Sequence, residues 1–143
     1  MTRNEILAYF DVRQDLWRAG DAAGLAATHA ASGTLTSPLF GAVTGREAIT
    51  QSYYQLFSIF VDWEVSVTHT MIDDLQVVQF YNVQAVHRGE LFGVPATGRR
   101  FEIHPVLHCE LDAAGLIQHE TRRYDFSGML IQLGILRAKP GAV

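Results

Sequence analysis

The chain has 143 residues, 48% of them hydrophobic and 18% charged, enough for one domain to bury a core without staples and unlike a disordered composition. Its formal net charge of -4, with no basic run longer than Arg99-Arg100 or Arg122-Arg123, argues against a nucleic-acid-binding face. Cys109 is the only cysteine, which excludes an intrachain disulfide, no apolar run approaches the roughly 20 residues of a membrane span, and Glu5 interrupts any signal-peptide order, so a soluble cytoplasmic protein with no membrane partner is expected.

Thr2-x-x-Glu5 has the form of a capping box, followed by Ile6, Phe10 and Trp17 at helical spacing and by Gly20 as a stop. Asp21 can cap a second, alanine-rich helix through about Ala31. A short strand is predicted at 33–37, closed by Pro38. Thr44-x-x-Glu47 is a second capping-box signature, opening a helix with Ile49, Tyr53, Leu56, Phe57 and Phe60 on one face. Tyr53, Tyr54 and Phe57 are expected in the core or in the wall of a cavity.

From Trp63 the period changes to two. WEVSVTHTMI (63–72) sets Trp63, Val65, Val67 and Met71 on one side, and LQVVQFYNVQAVHRG (75–89) reads as a long strand apolar on both faces. GVPATG (93–98) is a loop by its Gly and Pro content. RFEIHPVLHCEL (100–111) alternates Phe101, Ile103, Leu107, Cys109 and Leu111 against Arg100, Glu102, His104, His108 and Glu110. DAAG (112–115) is a hairpin turn from which LIQHETRRY (116–124) returns. Helices first and strands later is an α+β pattern, and a curved antiparallel sheet against helices tends to enclose an apolar cavity.

The spacing in HPVLH (104–108) would chelate a metal on a helix. On a strand it puts the histidines roughly 13 Å apart, so no metal site is expected. GREAIT (45–50) has no phosphate-cradling pattern and implies no cofactor. Cys109, mid-strand on the apolar face, reads as a small core residue rather than a nucleophile. In HETRRYDFSGMLIQLG (119–134), alternation puts Glu120, Arg122 and Tyr124 on one face and His119, Thr121, Arg123 and Asp125 on the other, and composition does not decide which is inward. Asp125 precedes a helix-like tail and is better placed to cap it than to catalyse.

GELFGVPATGRRF (89–101), the strand ending in Tyr124-Asp125 and the tail DFSGMLIQLG (125–134) together resemble the SnoaL-like family, which includes polyketide cyclases of the nuclear-transport-factor-2-like fold. Its marks here are the G-x-x-x-G-x-P-x-T-G-R loop and the D-x-x-G-x-L-x-Q-L-G tail, and the resemblance covers nearly the whole chain. It implies one α+β domain over 1–143: a cone-shaped half-open barrel, its curved antiparallel sheet packed on N-terminal helices, usually dimeric. In such cyclases an aspartate is general acid/base for an intramolecular aldol reaction, aided by a histidine, a glutamine and an asparagine. Laid along this chain, the four positions fall on Arg122, Leu107, Pro105 and Ser37, so all four residues differ.

The resemblance also implies that Glu120, Arg122 and Tyr124 look inward with Phe101, Ile103 and Leu107. Ser37, Tyr54 and Phe57 complete the expected pocket wall. Arginine stays protonated and cannot take a proton from carbon, but it can stabilise an enolate or grip a carboxylate. Glu120 is then the one carboxylate on that strand face that can serve as a base, and its alternative role is an ion pair with Arg122. Three functions follow: an enzyme on a carbonyl compound, of lyase, isomerase, cyclase or hydrolase type, with Arg122 and Glu120 catalytic; non-catalytic binding of an apolar carboxylate; or a homodimeric interaction module joined through the outer sheet face around Glu102, His104 and His108.

Overall fold

Thr2 starts the first helix as its spacing predicts: its hydroxyl accepts from the Glu5 N–H at 3.1 Å, and the Glu5 carboxylate accepts from the Thr2 N–H at 2.7 Å. The structure, a computed structural model, describes residues 1–137. The expected domain runs on through residues 138–143, which lie outside the described residues. Helix α1, Arg3–Ala19, buries Ile6, Phe10, Arg13 and Trp17 and stops at Gly20, whose φ of 64° is left-handed. Asp21 caps α2, Ala22–Ala26, by accepting from the Gly24 N–H. That helix is shorter than expected, because His29 already begins the strand β1, His29–Ser37.

The second capping box does not form. Thr44 belongs to β2, Gly41–Thr44, where it pairs with Thr34, and α3, Arg46–Ile59, starts from Gly45 with no side-chain cap. Phe60, placed on that helix by its spacing, instead opens β3, Phe60–Asp73. Two register shifts, between Val61 and Glu64 and between Val67 and His69, break the simple alternation of β3 against β4, Gln76–His87. Beyond the second shift the faces swap, so Met71 is 54% exposed instead of sharing the side of buried Val65.

The expected strand at 100–111 is divided into β5, Arg100–Ile103, and β6, Val106–Leu111. Pro105 has no N–H to give the ladder, but its carbonyl accepts from the Tyr81 N–H at 2.9 Å and keeps both pieces on β4. Parity therefore survives the break, with Phe101, Ile103, Leu107 and Cys109 all buried. Asp112 and Gly115 (φ 85°) make the turn into β7, Ile117–Arg123, and Asp125 caps α4, Phe126–Gln132, accepting from the Gly128 N–H at 2.9 Å.

The sheet runs β2-β1-β7-β6-β4-β3, with β5 also on β4. It is mixed rather than antiparallel throughout, since β1 and β7 pair in parallel. The result is a curved, open sheet packed on helices, the α+β fold that the resemblance implies. Among the described residues no helix is long and apolar enough to cross a membrane, which says nothing of a membrane β-barrel.

Candidate functional site

The apolar stripe of α1 contains a cation. Arg13 falls between Phe10 and Trp17 at helical spacing and is 0% exposed. A buried charge needs a partner, and β7 brings it: Arg13 Nη2 donates to Glu120 Oε1 at 2.8 Å. The other oxygen, Oε2, accepts from Arg122 Nε at 2.6 Å, so one carboxylate serves two guanidinium groups. Arg13 also donates from Nε to Thr28 Oγ1 and from Nη2 to the Tyr53 hydroxyl, both at 3.2 Å. His29 Nε2 lies 2.8 Å from that hydroxyl and 3.8 Å from Glu120 Oε1.

The charges of this cluster follow from its burial and contacts. Burial alone would raise the Glu120 carboxyl, but the guanidiniums of Arg122 and Arg13 outweigh it and hold the group well below the usual carboxylate range. Burial pushes His29 down to about 3, with only Glu120 opposing, so the imidazole is neutral near pH 7. Burial, aided by Glu120, pushes Tyr53 up to about 12, so it too is neutral. Two cations and one anion leave the buried cluster with one excess positive charge.

Arg122 carries that charge to a cavity of about 60 Å³ between the sheet and the helices. Its guanidinium stacks at 4.9 Å over Trp17 and 5.1 Å over Tyr53. Its Nη2 is buried yet finds no hydrogen-bond partner among the described residues. The indole N–H of Trp17, which also lines the cavity, has none either. Aromatic and aliphatic side chains, among them Phe60, Trp63, Tyr81 and Met129, make the rest of the wall almost wholly apolar. Phe40 lines it as well and meets the exposed Phe92 edge-on at 6.1 Å.

The cavity gathers most of the residues singled out by sequence. Ser37, Pro105, Leu107 and Arg122, the four positions corresponding to the cyclase acid/base set, all line it, as do Phe101, Ile103 and Tyr124. Two do not fit. Tyr54 is 54% exposed, because on α3 it is Tyr53, one residue earlier, that faces inward. Phe57 is half-buried and packs against Trp17 and Trp63, each at 5.6 Å, behind the wall rather than in it. Glu120 faces inward but lies under Arg122 and is not part of the wall.

Asp125 keeps to its capping bond and lies outside this cavity, beside Glu102 and His104 in a shallow surface groove. His104 and His108 are on the outer face and bond different residues of β4, Asn82 and Gln76. Among the described residues no group of three or more His, Cys, Asp or Glu side chains is placed to hold a metal ion. Cys109 is fully buried, and burial raises its thiol well above the ordinary value, as suits a core residue.

Arg13 and His29 went unflagged by sequence. Arg13 had a signal: a cation on the buried stripe of a helix implies a buried acid elsewhere. His29 had none, since its position reads as helix until the strand is seen.

Comparison with known proteins agrees with this architecture. The SnoaL-like domain model matches residues 6–120. AclR, a candidate hydroxylase from Streptomyces galilaeus, shares 21% identity with a TM-score of 0.81 over 98% of this chain and 91% of its own. TsrD from Streptomyces laurentii shares 20% identity at a TM-score of 0.81, covering 95% and 99%. IdmH from Streptomyces antibioticus, a candidate polyketide cyclase, shares 21% at 0.72, covering 94% and 99%. At such identities these likenesses establish the fold alone. A comparison with curated proteins finds no relative of this chain. With a family model covering residues 6–120 and the fold, the inward strand parity and the cavity all in agreement, the chain belongs to the SnoaL-like family.

Proposed function

We propose that the chain takes a small apolar molecule into this cavity by a carbonyl or carboxylate oxygen set against Arg122. Where it acts on that molecule, it does so as a lyase-, isomerase- or cyclase-type enzyme. The supporting observation is the buried, unpartnered Nη2 of Arg122 at an apolar wall, backed by one uncompensated positive charge. A buried donor of this kind is costly to leave unmade, and an acceptor oxygen of a ligand relieves it. Chemically, a fixed cation in a dry site stabilises charge developing on an enolate oxygen. Arg122 is the residue for that role. Glu120, with both oxygens engaged and its carboxyl held ionised, fixes the guanidinium rather than exchanging protons with a substrate.

A thermal-shift screen of aromatic and fatty carboxylates tests this. A hit at about 100 times its dissociation constant stabilises the protein by about 2.7 kcal/mol, and Arg122→Ala removes the shift. No acid-dependent shift in the wild-type protein would refute the reading.

A second reading has one observation in its favour. The enclosed space is well below the roughly 150 Å³ that accommodates benzene, so its own side chains fill much of it and an aromatic ligand enters only with its ring extending through the open side. On that reading the domain is a homodimeric interaction module using the outer face around Glu102, His104 and His108. Sedimentation of the wild-type protein and of a His104→Ala/His108→Ala variant tests this reading: a dimer that the variant loses supports it, and a wild-type monomer overturns it.

A further inference from the structure

The cavity has its excess charge because of a residue that does not touch it. Arg13 is on α1, outside the lining, and 107 residues from its partner Glu120. We infer that Arg13 is a positioning residue: by holding Glu120 Oε1, it keeps Arg122 Nη2 free for an anionic ligand. This rests on the reading of the cavity as a site for an oxygen anion.

A carboxylate next to a guanidinium ordinarily takes the fork grip, with two parallel N–H···O bonds. Glu120 and Arg122 do not. Only Nε is used, at 2.6 Å to Oε2, while Oε1 is turned to Arg13 Nη2 at 2.8 Å and Nη2 of Arg122 is left unpaired. Arg13 is itself held from two further sides, by Thr28 Oγ1 and the Tyr53 hydroxyl, while its Nη1 has no partner among the described residues. Remove Arg13, and Oε1 is free to swing to Arg122 Nη2 and close the fork. The free donor and the excess charge then vanish together, because Glu120 and Arg122 form a neutral pair. The neutral states of His29 and Tyr53 leave no other charge in the cluster to replace it.

The consequence is selectivity. Arg13 favours ligands with a deprotonated oxygen over neutral ketones of the same shape, although it meets neither. Benzoate and acetophenone are near-isosteric probes that differ in this charge. In Arg13→Met, benzoate affinity falls by about tenfold or more while acetophenone affinity stays within about twofold. Arg13→Lys, which restores the charge, recovers benzoate binding. So does the double variant Arg13→Met with Glu120→Gln, in which Arg122 regains its unpaired charge. Parallel loss of both probes, or no recovery in the double variant, overturns the inference. A crystal structure of Arg13→Met provides an arm that needs no ligand: the expected result is Glu120 bonded to both Nε and Nη2 of Arg122. Glu120 remaining on Nε alone overturns it. If the wild-type protein binds neither probe, the reading of the cavity fails, and the crystal structure alone then decides whether Arg13 positions Arg122.

Discussion

Glu120→Gln changes almost nothing in shape and removes one negative charge. In the native cluster that charge is shared by Arg13 at 2.8 Å and Arg122 at 2.6 Å, all three side chains being buried. The amide can still accept a hydrogen bond, but it leaves two guanidinium groups facing each other without a counterion. Removing one partner of a buried pair costs about 3–5 kcal/mol, and here two cations lose the same partner, so the upper part of that range is expected. Against a total stability on the order of 5–15 kcal/mol, such a loss lowers the melting temperature by roughly 10–20 °C. Urea denaturation at pH 7, with the slope compared between the two proteins, measures it. The pH dependence gives an internal control. The folded Glu120 carboxyl titrates below its ordinary value of 4.5, so its contribution is fully present above that pH and is lost as pH falls below it. The gap between the two proteins therefore narrows in acid. A loss at pH 7 under about 1 kcal/mol, the worth of an exposed ion pair, would refute the claim that this charge is buried and shared.

His29 provides a second acid-sensitive element: burial moves it from 6.5 down to about 3, so the unfolded chain binds a proton that the folded chain refuses. Its contribution is complete above pH 6.5 and falls by roughly 1.4 kcal/mol per pH unit below it, and His29→Gln should flatten the urea stability profile between pH 4.5 and 6.5; identical slopes would contradict the assignment. Asp125→Ala removes the cap on α4, a 2.9 Å bond to the Gly128 N–H, and should cost about 1 kcal/mol in thermal unfolding without altering benzoate binding. A loss of ligand binding in that variant would show the aspartate to be part of the site after all.

Much of this architecture was written locally in the chain. The capping box at Thr2, the left-handed stop at Gly20, the hairpin at Asp112–Gly115 and the cap at Asp125 each depend on residues within a few positions of one another, so spacing alone could reveal them. Strand parity from Phe101 to Cys109 was equally legible, because a pleat alternates whatever it pairs with. Where a signal of the same kind failed, a tertiary demand had overruled it. Thr44 was taken by pairing with β1 and so could not cap α3, and the shift at Val67–His69 reversed the faces that alternation assigned to Met71. The charge of the candidate site belongs wholly to tertiary structure. Arg13 and Glu120 are 107 residues apart, brought together only when α1 settles on a sheet that joins β1 to β7 in parallel. Sequence could identify a cation at position 122, but the spare charge and the free donor depend on how three side chains divide one carboxylate's two oxygens, and that division exists only in the folded molecule.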